Sequence, residues 1–100
     1  MQQLMNHSSD QEREQAWIGD AVLELFVRSW ILTEVGAMDG EKKTRFISNQ
    51  FLACFGNPTS VEAKIGRIYT DEGLQPAFNY IEAELLPLFL KQEAKLKRRP

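Results

Sequence analysis

Residues 16–25 read AWIGDAVLEL, and this stretch decides the fold because it places a carboxylate, Asp20, inside an otherwise apolar helix. From residue 17 to residue 32 the charged side chains are Asp20, Glu24 and Arg28, which are spaced four apart and form one line on the helix surface. Aspartate is a poor helix former, and burial of its charge without a partner is costly. We therefore expect Asp20 to meet a cation, a metal ion or water in a cleft, each of which indicates a site.

The composition predicts one globular domain. The chain has 100 residues, of which 43% are hydrophobic and 26% charged, and a chain of this size buries roughly two-thirds of its unfolded surface. The single cysteine, Cys54, excludes an internal disulfide and fits a reducing compartment, so we expect a cytoplasmic protein. The first residues are polar and no long unbroken apolar run occurs, so neither a signal peptide nor a membrane partner is expected.

The first helix should be the largest element. Residues 1–8 are expected to be a flexible leader, and Ser9 and Glu12 have the spacing of a capping box. A first helix is therefore predicted over about 10–34, closed by Gly36. This helix is apolar on more than one face, so we expect it to be either the central helix of the domain or half of a dimer interface.

Two more helices follow from local signals. Asp39 should cap a second helix over about 40–55, in which Cys54 falls on the apolar stripe and is expected in the core. The Asn-Pro pair at 57–58 should start a third helix, because the asparagine side chain can cap it and the proline lacks only a donor that is unused there. Gly73 should end this helix.

The chain should close with a fourth helix, which begins near Pro76 and runs through Leu88 with a kink at Pro87. We predict an all-α domain over residues 9–90, followed by a basic C-terminal tail, 91–100, that frays. The tail holds five basic residues against one acid, a net +4, which leaves −6 on the other ninety residues. Because an acidic body repels nucleic acid, phosphate binding would need divalent cations, a local basic patch or the tail.

A second carboxylate, Glu62, stands in the first turn of the third helix beside Ala63 and Gly66. Small residues also flank Asp20, so the two helices can approach closely and the carboxylates could share one magnesium ion. Two simpler interpretations stay open at this stage. Thr59 and Glu62 have the spacing of a capping box, and Asp20 could pair with Arg28 through water or with another basic residue.

Three blocks, taken in order, resemble the ribonuclease III domain family. Residues 17–23, WIGDAVL, resemble its signature helix, and residues 61–73, VEAKIGRIYTDEG, resemble its second acidic motif. Residues 45–53, RFISNQFLA, resemble its intermediate helix, and together the match covers roughly residues 12–85. Two of the family's four acids have counterparts here, Asp20 and Glu62. This reduced set resembles mini-ribonuclease III, which lacks the double-stranded-RNA-binding domain.

The chain also departs from the family pattern. Two further acids of the family fall here on Ala16 and Thr59, and a glutamate of the intermediate helix falls on Asn49. Only 41 residues separate Asp20 from Glu62, fewer than in the usual member, so a segment that helps contact RNA is missing.

The resemblance implies a compact, all-α, ribonuclease III-like endonuclease domain that forms a homodimer through the signature helix. It implies a divalent-metal-dependent endoribonuclease that cleaves double-stranded RNA, with a possible place in ribosomal RNA maturation. Asp20 and Glu62 would be catalytic and would hold Mg²⁺ or Mn²⁺, supported by Asn49 and Thr59. The expected dimer interface comprises Trp17, Val22, Leu25 and Phe26.

The resemblance leaves the RNA-binding surface and the activity as expectations. Basic residues that could contact RNA phosphates are Lys42, Lys43, Arg45, Lys64 and Arg67, although a solvated helix surface is the simpler interpretation. A non-catalytic dimer that binds RNA or serves as a scaffold is the alternative function, favoured by the missing acids. A helical dimerisation domain with no RNA role is a third.

Overall fold

One long helix, α1 (Gln2–Glu34), organises an all-helical fold. The computed structural model describes the backbone of residues 2–98 and the side chains of residues 10–97. The chain is 90% helical, and no strand occurs in the described backbone, which confirms the predicted all-α class. A helix of 33 residues is about 50 Å long, and it accounts for most of the 57 Å longest dimension of the molecule.

The start of α1 differs from the prediction, whereas its end agrees. The helix begins at Gln2 rather than near residue 10, so Ser9 lies within it and does not start it. Glutamine, leucine and methionine near the N-terminus are good helix formers, which explains why the helix extends through the segment predicted as a flexible leader. The helix ends at Glu34, two residues before Gly36.

The predicted second helix is two short helices. Helix α2 (Gly40–Ile47) has Asp39 as its cap, as predicted, and the Lys42 N–H donates to the Asp39 carboxylate at 3.0 Å. Ser48 then adopts an extended conformation, and its hydroxyl accepts from the Phe51 N–H at 3.1 Å, so it caps α3 (Asn49–Leu52). Ser48 therefore ends α2 by adopting the extended conformation that lets it cap α3.

A 3₁₀ turn, Ala53–Phe55, follows α3 and changes the side-chain phase. Cys54 is exposed as a result, so its predicted place in the core is wrong. Its thiol lies 3.9 Å from the Gln50 carbonyl oxygen and 3.8 Å from the Gln92 amide nitrogen. Burial predicted from the spacing of apolar residues in one continuous helix does not hold beyond the residue at which that helix ends.

Helix α4 (Pro58–Glu72) follows the predicted signals closely. The Asn57 side chain accepts hydrogen bonds from the Thr59 and Ser60 N–H groups at 2.9 and 3.2 Å, and Pro58 is the first helical residue. Gly73 ends the helix with φ 102°, a left-handed conformation that favours glycine.

The C-terminal third is a nearly continuous helical run. Helix α5 (Leu74–Tyr80) passes through a π-helical turn (Ile81–Leu85) into α6 (Leu86–Arg98). The wider π turn ends two residues before Pro87, and this proline lacks a donor and crowds the carbonyl four residues earlier, within the turn. The predicted fraying of the tail is not seen as far as Arg98, where the backbone is still helical.

The core is rich in aromatic rings, with Phe46 at its centre. Phe46 is fully buried and packs against Phe89 with ring centroids 4.4 Å apart and against Phe51 at 5.3 Å. Phe26 and Trp30 of α1 meet the same ring at 6.3 Å. These contacts join α1, α2, α3 and α6. No helix in the described backbone is both long and apolar enough to cross a membrane.

Candidate active site

Helices α1 and α4 touch backbone to backbone at two glycines. A Cβ atom added to Gly19 would lie 1.7 Å from the Glu62 carbonyl oxygen, and one added to Gly66 would lie 1.9 Å from the Gln15 carbonyl oxygen. Real Cβ atoms do not come this close to another atom, so only glycine fits at either position. Small residues therefore do allow these helices to meet closely, as the sequence predicted.

This crossing brings Asp20 and Glu62 together. Asp20 directly follows Gly19, which packs against the backbone of Glu62, and both carboxyl-bearing residues are half-buried. Burial, a hydrogen bond to Asp20 and the charge of Asp20 together raise the pKa of Glu62 to about 7. At neutral pH Glu62 is therefore protonated about half of the time, because a second negative charge beside Asp20 is unfavourable.

The two simpler interpretations of these acids do not match the contacts. Asn57, and not Thr59, caps α4, so Glu62 is not part of a capping box. Arg28 donates to Glu24 at 3.0 Å instead of pairing with Asp20. None of the ion pairs among the described side chains includes Asp20 or Glu62.

The pair suits a hard divalent cation. Among the described residues no group of three or more histidine, cysteine, aspartate or glutamate side chains converges on one point. Magnesium commonly binds through one or two carboxylates and keeps several waters, which matches such a site. Asp20 and Glu62 would hold the ion, and Glu62 would bind it in the deprotonated form.

The two predicted supporting residues lie on the surface. Thr59 is exposed and stands three residues before Glu62, on the same side of α4. Asn49 is exposed at the first position of α3. A cavity of about 380 Å³ lies elsewhere, between the end of α1 and the start of α2, and Leu32 and Met38 line it. The carboxyl pair is not part of that cavity.

Most of the predicted RNA-binding side chains on α2 are engaged within the protein. Lys43 donates to Glu24 at 3.2 Å, and Arg45 forms two hydrogen bonds of 2.8 Å to Glu93. Lys42 lies 3.9 Å from the same Glu93 carboxylate. A phosphate that binds at any of these positions would have to compete with a carboxylate partner, and the RNA-binding role of this cluster stays a prediction.

Glu24 is the carboxylate that accepts hydrogen bonds from both Lys43 and Arg28. Although desolvation raises its pKa, hydrogen bonds from Lys43 and Arg28 and their charges hold the pKa of Glu24 below its usual value. On α4, Lys64 is exposed and lies 5.2 Å above the ring of Tyr80, and Arg67 is exposed. Both residues are therefore on the surface of the helix that carries Glu62, but at two and five positions from Glu62 they do not share its side of the helix.

The predicted dimer interface divides into core and surface residues. Val22 and Phe26 are buried in the core of the single chain, so they are unavailable to a partner, which corrects their assignment. Trp17 is 81% exposed and Leu25 is 47% exposed. The exposed Leu32 continues the same side of α1. Large apolar side chains in such a row indicate a contact surface.

One residue that matters in the structure was missed from the sequence, whereas Gly66, singled out there as a small neighbour of Glu62, does set the distance between α1 and α4. Glu93 is buried and anchors α6 to α2. It is the only acid among the last ten residues of the sequence, and this isolation among basic residues could have indicated a structural role.

Comparison of the chain with protein-family models, with curated proteins and with solved structures found no match.

Proposed function

We propose that this chain is a divalent-metal-dependent endoribonuclease of the ribonuclease III type, similar to the mini form, that cleaves double-stranded RNA. The observation that carries the proposal is the meeting of Asp20 and Glu62 across the glycine crossing of α1 and α4. The motif residues that resemble the family thus come together in space. Maturation of ribosomal RNA is the proposed setting.

The two acids have one common task in this proposal. Their carboxylates hold Mg²⁺ or Mn²⁺, and the energetic cost of placing two like charges together is offset when the ion binds. When bound, such an ion lowers the pKa of a coordinated water and offsets charge on a phosphodiester. Thr59 and Asn49 are proposed to orient water or substrate, since their uncharged side chains add no charge to the site.

The exposed side of α1 supports a homodimer. Trp17, Leu25 and Leu32 present apolar side chains to solvent on the side of α1 away from Gly19. A second copy packed on this side would cover them, and the proposed dimer would carry two acid pairs. Two such sites, one for each strand, would account for cleavage of a duplex.

Cleavage of an RNA duplex in Mg²⁺ tests the proposal. Asp20→Asn and Glu62→Gln should each lower the rate by at least about 100-fold, because metal-held charge stabilisation is worth several kcal/mol. Glu34→Gln on α1 and Glu72→Gln on α4 are matched controls, since both residues are exposed acids on the same helices. Chelator should stop cleavage by the wild-type protein. Full activity in either Asp20→Asn or Glu62→Gln would refute the proposal.

One observation favours a second function, a non-catalytic dimer that binds RNA or serves as a scaffold. The described residues offer two converging acids and no third, and the positions corresponding to the family's other acids hold Ala16 and Thr59. This alternative predicts binding of the same duplex without cleavage in either Mg²⁺ or Mn²⁺. A chain with no RNA role would show no affinity at moderate salt.

A further inference from the structure

The C-terminal half of α6 presents a positively charged surface. Lys91, Lys95 and Lys97 are exposed, and none of the ion pairs among the described side chains includes them. Lys91 and Lys95 are four residues apart, so they lie on one line along the helix. They stand on the side opposite the buried Phe89, and this line faces solvent.

The one acid of this segment is turned away from the lysines. Glu93 is only 8% exposed and accepts two hydrogen bonds of 2.8 Å from the Arg45 guanidinium of α2. Its charge is therefore neutralised inside the protein. A count of charges along the sequence would set Glu93 against one lysine. In the structure Glu93 is paired with Arg45, so it does not reduce the positive charge of the exposed lysines.

The same contacts hold the segment in a fixed orientation. Leu86 and Phe89 are buried in the core, and the Phe89 ring packs 4.4 Å from that of Phe46. The lysines thus project from a helix that is docked at three successive turns, counting the Arg45–Glu93 pair. A ligand that binds here does not have to order a flexible tail, which lowers the entropic cost of binding.

We propose that Lys91 and Lys95 bind the phosphate backbone of double-stranded RNA, an inference that rests on the proposed function. Lysine is a mobile point charge that contacts phosphates without reading bases, so these contacts would position a duplex independently of its sequence. The remaining ninety residues carry a net −6. An approaching polyanion is therefore attracted most strongly to this end of the molecule.

A lipid surface fits this side of α6 less well. Leu90 and Leu96 are exposed, but they are six residues apart and lie about 120° from each other around the helix, on opposite flanks of the lysine line. The apolar face of α6 is occupied by the core. A helix that inserts into a membrane interface needs an apolar face of its own beside the charged one.

Binding of a blunt RNA duplex in the presence of chelator tests the inference without cleavage. The salt dependence of the affinity is compared for the wild type, for the Lys91→Gln/Lys95→Gln double variant and for Arg13→Gln/Arg28→Gln, which removes the same charge from α1. Each phosphate contact adds about 0.9 to the slope of log affinity against log salt. The wild type should therefore lose about tenfold more affinity than the lysine variant between about 50 and about 200 mM salt.

Three results would overturn the inference. These are an unchanged salt slope in the lysine variant, an equal decrease in the arginine control, or lysine-dependent binding to phosphatidylserine vesicles with no effect on RNA. Cleavage in Mg²⁺ is scored separately. If the wild type cleaves RNA and the lysine variant has an unchanged salt slope, the proposed function stands and this inference is wrong. If the slope is reduced but no cleavage occurs, the lysines bind RNA and the proposed enzymatic function is wrong.

Discussion

Replacing Glu62 by glutamine should stabilise the protein at alkaline pH and leave its stability nearly unchanged in mild acid. The pKa of Glu62 rises from 4.5, the ordinary value of a glutamate, to about 7, first through burial and then through Asp20. Between these two values the folded chain holds a proton that the unfolded chain has released. The contribution of Glu62 to stability is therefore fully present below pH 4.5 and is lost as the pH rises through 7.

The size of the effect follows from the same two values. The full difference corresponds to about 3 kcal/mol, and because the side chain is half-buried, solvent screening reduces it to about 1–2 kcal/mol. For a domain of this size, that is an increase in Tm of about 4–10 °C for Glu62→Gln at about pH 8. The expected difference from wild type at about pH 5 is less than about 1 kcal/mol.

Urea unfolding in chelator at several pH values between about 5 and about 8 measures the effect. Glu72→Gln is the matched control, because it removes an exposed acid from the same helix and should follow the wild-type curve at every pH. A difference between wild type and Glu62→Gln that does not grow with pH would refute the reasoning. The reasoning would also be refuted if the free energy of unfolding of the wild type increased relative to that of Glu62→Gln as the pH rises.

Other predictions test the scaffold around the pair. Gly66→Ala places a methyl group 1.9 Å from a backbone carbonyl oxygen of α1 and should lower the free energy of unfolding by about 3 kcal/mol or more. Gly40→Ala is the control, because open space surrounds Gly40, and it should be neutral in the same urea titration. Equal effects of the two substitutions would contradict this prediction. Arg45→Met strands the buried Glu93 carboxylate and should cost about 2–3 kcal/mol; a loss below about 0.5 kcal/mol would contradict this. Leu25→Glu should turn the proposed dimer into a monomer in sedimentation; an unchanged dimer would contradict this.

Local signals predicted the parts of the fold that depend on neighbouring residues. Asp39 and Asn57 cap helices where the sequence placed them, because a cap is made by one side chain and the N–H groups two or three residues later. Gly73 ends α4 for a similarly local reason. Ser48 shows the limit of such signals. The same residue type that caps α3 also occurs inside helices, so the break was not predicted.

Contacts between distant residues were beyond reach of the sequence. Arg45 and Glu93 are 48 positions apart, and Lys43 and Glu24 are 19 apart, so nothing local shows that the predicted RNA-binding cations are neutralised within the protein. The approach of Asp20 to Glu62 was predictable in part, because glycine near each acid allows a close helix crossing. The raised pKa of Glu62 requires the crossing itself, which sets burial and proximity together.

The most direct measurement is the location of manganese in a crystal grown with Mn²⁺, by anomalous scattering. The account predicts one peak per chain at about 2 Å from carboxylate oxygens of both Asp20 and Glu62, absent from crystals of Glu62→Gln. A wild-type crystal in which manganese binds elsewhere and not at this pair, or a peak that survives in Glu62→Gln, would contradict the central claim.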